Sequence, residues 1–347
     1  MKKILVVRFK QIGDAILSSV ICSSLKKTYP DSQIDYVVYD YVAPIFEKQP
    51  YIDNVISISK EERKDIFKYL NKAWKVTRND YDIVIDIMST PKSEVFTLFS
   101  RKAKFKIGRE KKWRGYTYTH RIPEPPNTLD KAEKFLEMLC PIEKSGEKIV
   151  YDPNYYLEFS ADEIKYLREK MLKAGIDFNK TIFAFAINSR REHKIYPVDL
   201  MLEVIKKTLE KYDCQIIFYY SPEEKAFAKD IHTKLANDPR IFSNIETESI
   251  RELGALIKNC DMFVGNEGGP RHLAQSVDVP SFAIFSPGSS KKDWLSKNNP
   301  RHQGIEPIEI GADNYDSLNY EEKYRLITPE IVMENVDRLL NKYVKKS

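Results

Sequence analysis

The chain has 347 residues, of which 42% are apolar and 31% are charged, and its formal net charge is +5. This balance excludes a disordered or fibrous chain, and the length exceeds the usual span of one compact core, which favours two domains. The four cysteines, Cys22, Cys140, Cys214 and Cys260, form no C-x-x-C pair. The sequence therefore indicates reduced core thiols of a cytoplasmic protein, without a disulfide framework or a zinc site.

The first half of the chain alternates short apolar runs with amphipathic stretches, which is typical of parallel βαβ units. The opening Met1-Lys2-Lys3 leads at once into an apolar run that is too short for a signal peptide or a membrane span, so we expect a buried strand. The predicted strands are 4–9, 34–39, 55–58 and 83–87, and the predicted helices are 14–28, 62–76 and 130–139.

The pattern lapses near residues 149–153, and Ser160-Ala161-Asp162-Glu163 then forms a capping box that predicts a helix to about residue 173. Further strands are predicted at 182–187, 215–220, 262–264 and 281–285, with helices at 199–211, 223–235, 250–259 and 270–276. We therefore expect two α/β domains in series, 1–155 and 156–327. Thr328-Pro329-Glu330 begins a final amphipathic helix, 328–347, which we expect to bridge the two domains.

Parallel sheets bind ligands beyond the carboxyl ends of their strands, so two such domains that face each other would leave a cleft lined by strand-to-helix loops. The first of these loops contains Gln11-Ile12-Gly13-Asp14 and lacks the G-x-G-x-x-G dinucleotide pattern. Asp14 is either a helix cap or a general base that faces the cleft.

Residues 263–272 read Phe-Val-Gly-Asn-Glu-Gly-Gly-Pro-Arg-His, where an apolar strand passes into a helix. Gly268 and Gly269 allow a ligand to approach the backbone closely, and the unpaired amides of a helix start attract anions. Pro270 suits the first helical position. The pattern is typical of a phosphate pocket, and the alternative is a turn that needs its glycines for geometry alone.

Two further loops carry polar groups at the same predicted edge. Residues 188–197, Asn-Ser-Arg-Arg-Glu-His-Lys-Ile-Tyr-Pro, place Ser189, Arg191 and Lys194 where they would suit a departing diphosphate. A solvated basic loop is the alternative. In Ser221-Pro222-Glu223-Glu224 an acid could bind ribose hydroxyls, although a helix start with favourable acids explains the same residues.

The stretch from Arg101 to Arg114 holds eight basic residues and one acid, Glu110. Such an excess attracts phosphates, acidic sugars or an anionic lipid surface, and aromatic residues stand nearby. The alternatives are a solvated lysine-rich surface or nucleic-acid binding, and no nucleic-acid motif supports the latter. The tentative acceptor-binding residues are Lys111, Lys112 and Arg114.

The combination and order of these loops resemble the glycosyltransferase family 9 heptosyltransferases of lipopolysaccharide core assembly. The resemblance rests on Ile12-Gly13-Asp14, the Lys194-x-Tyr196-Pro197 loop, the Ser221–Glu224 turn, and the Gly265–His272 stretch that leads into Leu273-Ala274. It implies a GT-B fold, in which two Rossmann-like domains face each other across a cleft. Two departures stand out: Glu267 replaces a frequent Asp, and Tyr196 replaces a frequent Trp.

The resemblance also implies roles for individual residues. It makes Asp14 the base that deprotonates the acceptor hydroxyl, and it places Lys194 and Ser189 at the donor diphosphate. Glu224 corresponds to the acid that binds the nucleotide ribose. The loop that contacts the phosphates and the donor sugar corresponds to Glu267, Gly268 and Gly269, followed by the signature His272.

The implied reaction is an inverting transfer from ADP-heptose, without a cofactor or a bound metal, to an anionic lipid-linked core saccharide. The enzyme would be cytoplasmic and would meet its acceptor at the cytoplasmic face of the inner membrane, without nucleic acid as a partner. The one D-x-D, Asp80-Tyr81-Asp82, precedes a strand and is interpreted as a solvated turn away from the cleft. A sugar-nucleotide epimerase and a non-catalytic protein that binds nucleotide sugars remain as alternatives.

Overall fold

The computed structural model describes residues 1–9, 11–113, 115–220, 222–296 and 299–344 of the protein. The chain divides into two compact units, Met1–Glu158 and Phe159–Ser347. Among the described residues, no helix combines the length and the apolar character needed to cross a bilayer.

The first unit is an α/β sandwich around one parallel sheet. Its strands are β1 (Lys3–Val7), β2 (Gln33–Tyr39), β3 (Asn54–Ile58), β4 (Ile83–Asp86), β5 (Phe105–Arg109) and β6 (His120–Ile122). They follow the order β3-β2-β1-β4-β5-β6, and every pairing is parallel. The helices are α1 (Ile12–Ser18), α2 (Val20–Thr28), α3 (Lys60–Lys64), α4 (Ile66–Thr77), α5 (Pro91–Phe99), α6 (Lys131–Leu136) and α7 (Cys140–Lys144).

The second unit repeats this architecture. Its strands are β7 (Thr181–Ala186), β8 (Cys214–Tyr219), β9 (Ile241–Phe242), β10 (Met262–Asn266), β11 (Ser281–Ile284) and β12 (His302–Ile305). Their order is β12-β11-β10-β7-β8-β9, again with parallel pairings throughout. The helices are α8 (Ala161–Lys173), α9 (Val198–Lys211), α10 (Lys225–Lys234), α11 (Ile250–Lys258), α12 (Gly269–Ser276), α13 (Lys291–Trp294), α14 (Tyr320–Arg325) and α15 (Pro329–Tyr343).

The predicted α/β class is confirmed, and the strands predicted from long apolar runs are present. Residues 4–7 of β1 are completely buried, as expected for a central strand covered by helices on both faces. The capping box at Ser160 is also confirmed, since the Ser160 hydroxyl accepts from the Glu163 amide and the Glu163 carboxylate accepts from the Ser160 amide. All four cysteines are free thiols; Cys140 is half-buried and the other three are buried.

The final helix, α15, packs against the core of the second unit. Val332, Val336 and Leu339 on α15 are buried in the core of the second unit, where α15 packs against α9 and β11. The apolar stripe predicted for this helix is therefore buried within the second unit. Its bridging role stays a prediction. The helix is part of that unit.

Glycine at position 265 allows β10 to lie beside β7. Its φ is 135°, and a Cβ at this position would lie 2.4 Å from the carbonyl oxygen of Ala186 on the neighbouring strand. The strand that leads into the Glu267 loop therefore depends on the absence of a side chain here.

We expect Gly265→Ala to lower the free energy of unfolding by about 3 kcal/mol, because it combines backbone strain with a collision against Ala186. Chemical denaturation measures this loss. The matched control is Gly146→Ala, since Gly146 also has a positive φ, 97°, but no heavy atom lies within 4 Å of its Cβ position. The control should lose about 1 kcal/mol, and equal losses in both variants would contradict the steric explanation.

Candidate active site

Two of the predicted donor-site residues, Lys194 and Glu267, meet at the carboxyl edge of the second sheet. Lys194 lies in the loop after β7, Glu267 directly follows β10, and Ser286 and Ser289 follow β11. Strands β11, β10 and β7 are neighbours in the sheet, so parallel pairing brings these three loops together.

An ion pair forms the centre of this cluster. The Lys194 ammonium lies 3.2 Å from Glu267 Oε1 and donates to Ser289 Oγ at 2.8 Å. The Glu267 carboxylate also accepts from Ser286 Oγ at 2.8 Å and is only 6% exposed. The Glu267 carboxylate and the Ser289 hydroxyl engage two of the three N–H groups of the Lys194 ammonium, so the third can face a ligand.

Neighbouring side chains fix the backbone that follows Lys194. The Tyr324 hydroxyl donates to the Lys194 carbonyl at 3.0 Å. The Tyr196 amide donates to Asn266 Oδ1 at 2.8 Å, and Asn266 Nδ2 donates to the Ala186 carbonyl at 3.1 Å. Tyr196 is fully buried, and its hydroxyl donates to the Ile327 carbonyl. The tyrosine that replaces the frequent Trp thus retains a packing role.

The start of α12 lies directly after Glu267. Gly268 is the N-cap residue and no side chain caps the helix. Within the described residues, the amides of Gly268 and Gly269 have no hydrogen-bond acceptor, while the Glu267 amide donates to the Ile284 carbonyl. Two amides and the positive end of the helix dipole therefore lie next to the Lys194 ammonium, which is an arrangement suited to an anion.

His272 is buried in α12 and does not line an open surface. Burial lowers the pKa of its imidazole well below the usual value, and the charge of Arg271 lowers it further. Arg271 is itself buried and donates to Gln275 Oε1 at 2.7 Å and to the Trp294 carbonyl at 2.6 Å. The neutral ring of His272 packs against Trp294, so the residue has a structural role in the site.

The remaining predicted donor residues lie at the same sheet edge but outside the ion-pair cluster. Ser189 is half-buried, and Arg191 is exposed with no side-chain partner among the described residues. Glu224 is half-buried at the start of α10, after β8. Burial raises the pKa of the neighbouring Tyr219, and the charge of Glu224 raises it further. Ser221 lies outside the described residues.

In the first unit, Asp14 lies in the first turn of α1, beyond the carboxyl end of β1. Its carboxylate pairs with the Arg8 guanidinium at 3.0 Å. Arg8 Nη1 also lies 3.0 Å from the sulfur of Met88. Arg8 fixes the direction of the Asp14 carboxylate, and sequence reasoning missed it because it appeared to be part of the first strand.

A buried acid, Asp86, ends the adjacent strand β4. It accepts from the Met88 and Ser89 amides, both at 3.0 Å, and from the Tyr118 hydroxyl at 2.7 Å. Burial raises its pKa from 3.8 to about 6, in opposition to these hydrogen bonds, which lower it. Asp86 thereby holds the turn whose Met88 contacts Arg8. An acid within an apolar run was the available sequence signal.

The basic stretch is less uniform than its composition indicates. Residues 105–109 form strand β5, which the sequence analysis did not predict, and Arg109 pairs with Glu137 at 3.5 Å. Lys111 is exposed and lies 3.6 Å from Glu124, whereas Lys112 is exposed and forms no ion pair in the described part of the chain. Arg114 lies outside the described residues.

The Asp80-Tyr81-Asp82 segment precedes β4, at the amino edge of the first sheet. Asp80 pairs with Lys102 at 2.6 Å, and Asp82 accepts from the Lys3 amide at 2.8 Å. This placement agrees with the predicted turn away from the ligand edge. Within the ranges that the structure describes, no group of three or more His, Cys, Asp or Glu side chains is arranged to hold a metal ion.

Comparison with solved structures identifies the fold. The fold matches a glycosyl transferase family 9 structure from Veillonella parvula, with a TM-score of 0.83, 19% identity and coverage of 98% of this chain and 97% of that one. It also matches E. coli heptosyltransferase WaaC with ADP-2-deoxy-2-fluoro heptose, with a TM-score of 0.71, 16% identity and coverage of 97% and 99%. The protein has the predicted GT-B fold.

Sequence comparison gives the family. The model for glycosyltransferase family 9 (heptosyltransferase) matches residues 70–304, and the chain belongs to this family. Lipopolysaccharide heptosyltransferase 1 from Campylobacter coli is 25% identical over 304 residues, which is 85% of this chain and 87% of the relative. The resemblance inferred from the four loops is confirmed.

The raised pKa of Asp86 predicts a pH-dependent stability. Because the folded-state pKa is about 6 and the ordinary value is 3.8, the stability from this group is present at low pH and is lost as pH rises towards and through the folded value. We expect the free energy of unfolding of the wild type, relative to Asp86→Asn, to fall by about 3 kcal/mol between about pH 3 and pH 7.

Denaturation of both proteins at each pH measures this difference. Taking the difference removes the pH dependence of the titratable groups that the two proteins share. Asp31→Asn, at an exposed position, is the control and should give a nearly flat difference. A flat difference for Asp86→Asn as well would show that Asp86 is ionised normally in the folded protein.

Proposed function

We propose that the protein transfers a heptose or a related sugar from a nucleoside diphosphate donor, with ADP-heptose the expected donor, to a saccharide of the lipopolysaccharide core. Membership of family 9 and the name of the Campylobacter coli relative support the acceptor class. The bound ligand of the E. coli structure supports the donor class.

The observation that carries the proposal is the juxtaposition of Lys194, held by Glu267 and Ser289, with the uncapped start of α12. A diphosphate that leaves a sugar gains negative charge as the glycosidic bond breaks. A fixed ammonium and helix amides stabilise this charge without any reorganisation at the moment of reaction. Ser189 and Arg191, in the loop that precedes Lys194, lie where they can add contacts to the phosphates.

One carboxylate oxygen of Glu267 holds Lys194 in place, and we assign the other to the donor sugar. Oε1 is occupied by Lys194 and Ser286, whereas Oε2 has no hydrogen bond within the part of the chain described here. That second oxygen is available to accept from a hydroxyl of the donor sugar. The additional methylene of Glu relative to Asp lets Oε1 reach the loop after β11.

The chemical step we propose is a single displacement. The acceptor oxygen forms a bond to the anomeric carbon as the bond from that carbon to the diphosphate oxygen breaks, and the electron pair leaves with the diphosphate. The attack comes from the face opposite the departing diphosphate, which inverts the configuration at the anomeric carbon. Asp14 takes the proton of the acceptor hydroxyl, which balances the charge. The Arg8 contact orients the Asp14 carboxylate for this transfer.

The nucleotide end of the donor has a matching site beyond β8. A cavity of about 270 Å³ lies beside Tyr219 and Tyr220, with Ile245, Thr247 and Leu253 among its walls. Aromatic and aliphatic walls suit a planar base. Glu224, which lies close enough to Tyr219 to raise its pKa, would then accept from the ribose hydroxyls.

The acceptor end is assigned to the first unit. Lys111 and Lys112 follow β5 and therefore lie on the same sheet edge as Asp14, two strands away in the sheet. We propose that they bind the anionic groups of the acceptor saccharide at the cytoplasmic face of the inner membrane.

For Asp14→Asn we expect sugar transfer to fall by at least about 100-fold while donor affinity stays within about twofold. An amide has the same shape but cannot accept the proton. Acceptor-dependent ADP release measures transfer and calorimetric titration measures donor binding. Asp31→Asn is the charge-matched control and should transfer normally, and undiminished transfer by Asp14→Asn would refute the assignment of the base.

For Lys194→Ala we expect the donor dissociation constant to rise about 10- to 100-fold, with slower transfer, because a charged donor to the diphosphate is lost. Lys206→Ala, at an exposed position of α9, is the control. The double variant Lys194→Ala/Glu267→Gln separates two causes: normal donor binding in it would mean that the single variant fails only because Glu267 is left without a counterion.

A further inference from the structure

Helix α4 presents an apolar face to solvent. Phe67 is 80% exposed and Trp74 is 48% exposed. Phe67, Asn71, Trp74 and Arg78 recur at the spacing that places residues on one side of a helix, opposite the buried Tyr69 and Val76. We call the exposed set, Phe67, Lys68, Asn71, Trp74, Lys75 and Arg78, the α4 outer face.

The aromatic residues of this face are surrounded by cations. Lys68 and Lys75 lie beside the stripe, and the Arg78 guanidinium lies 4.9 Å from the centre of the Trp74 ring. Lys60 and Lys64 extend the charge over α3, and none of these four lysines forms an ion pair among the described residues. Each position is exposed.

The acids near the face are few and mostly engaged. Asp65 caps α4 by accepting from the Phe67 and Lys68 amides, Glu62 lies 3.8 Å from Lys72, and Asp40 pairs with Arg63 at 2.8 Å. The exposed Glu61 also lies beside the lysines; its helix-start hydrogen bonds lower its pKa, and the charges of Lys60 and Lys68 lower it further. The face is therefore apolar in its centre and basic at its rim.

The start of α4 lies at the same edge of the sheet as Asp14. Helix α3 follows the carboxyl end of β3, and the Arg63 guanidinium lies 4.3 Å from the ring centre of Tyr39, at the carboxyl end of β2. The Tyr69 hydroxyl donates to the Lys92 carbonyl at 2.5 Å, in the first turn of α5 after β4. The basic and aromatic residues thus begin where the proposed acceptor must reach its base.

We propose that the α4 outer face, together with Lys60 and Lys64, docks the protein on an anionic phospholipid bilayer. Phe and Trp enter the interface between headgroups and acyl chains, while each lysine near the surface adds attraction to acidic headgroups. The inference rests on the proposed function for its purpose, since a lipid-linked acceptor brings the enzyme to a membrane. The charge and the exposed aromatics do not depend on that function.

This surface is distinct from a further exposed aromatic site of the first unit. Trp113 is 79% exposed and Tyr116 is 77% exposed, but they follow β5, across the sheet from α4. There Lys111 pairs with Glu124, and the Arg121 guanidinium lies 5.4 Å from the Tyr116 ring centre. We assign that region to the acceptor saccharide and the α4 outer face to lipid.

The test is co-sedimentation of the full chain with phosphatidylcholine vesicles, with and without phosphatidylglycerol. We expect binding only to the anionic vesicles, weakened by added salt. Phe67→Ser/Trp74→Ser and Lys64→Gln/Lys68→Gln should each reduce the partition coefficient by at least about tenfold. Because all four positions are exposed, the melting temperature should stay close to that of the wild type.

Two controls match the variants in chemistry. Ile308→Ser removes an apolar residue that is 60% exposed in the second unit, and Trp113→Ser removes the exposed aromatic beyond β5. Both should bind vesicles like the wild type. Undiminished binding by the α4 variants, or loss of binding in Trp113→Ser alone, would overturn the proposal. So would a wild-type dimer, seen by sedimentation without lipid, that Phe67→Ser/Trp74→Ser dissociates, because the face would then bind a second copy.

Transfer to a delipidated saccharide separates this inference from the proposed function. The Phe67→Ser/Trp74→Ser variant should retain that transfer while it loses vesicle binding. A wild type that transfers sugar but ignores anionic vesicles would refute membrane docking alone. A wild type that binds vesicles through α4 but transfers nothing from ADP-heptose would refute the function alone.

Discussion

Every strand pairing in both sheets is parallel, and this constraint determines where chemistry can occur. Each strand must be followed by a crossover, so all strand-to-helix loops of one unit emerge at one edge. In the second unit this brings Lys194, Glu267 and Ser289 together from three loops that are far apart in sequence. In the first unit it brings Arg8, Asp14 and Met88 together from two. The helix starts at these edges add positive dipole ends.

The polar groups in these edges are held in place by neighbours. Glu267 is almost completely buried, and Ser286 and Lys194 satisfy one of its oxygens. Tyr324 and Asn266 hold the backbone that follows Lys194. Burying these charges lowers the free energy of unfolding, because the charged groups lose hydration. We expect them to be retained because a charge held in a fixed position stabilises the transition state of the reaction.

The sequence predicted the fold where physical signals are local. Long apolar runs such as 4–7 and 182–187 can only be buried strands, and Ser160 and Thr328 mark helix starts by their own side chains. Strand β5 was not predicted because its Phe-Lys-Ile-Gly-Arg pattern resembles a charged surface segment. Strands β6 and β9 are too short to show a hydrophobic period. Asp14 and Lys194 could be named from loop position and family resemblance. Arg8, Ser286, Ser289 and Tyr324 could not, because only tertiary packing brings them to the site.

The most direct test of the account is to incubate the protein with ADP-heptose, with and without a lipopolysaccharide core saccharide that lacks the added heptose. The released nucleotide and the mass of the saccharide are then measured together. The account predicts ADP release that requires the saccharide, matched by a gain of one heptose with inverted anomeric configuration. Release of nucleotide without the saccharide, or a saccharide of unchanged mass, would contradict it.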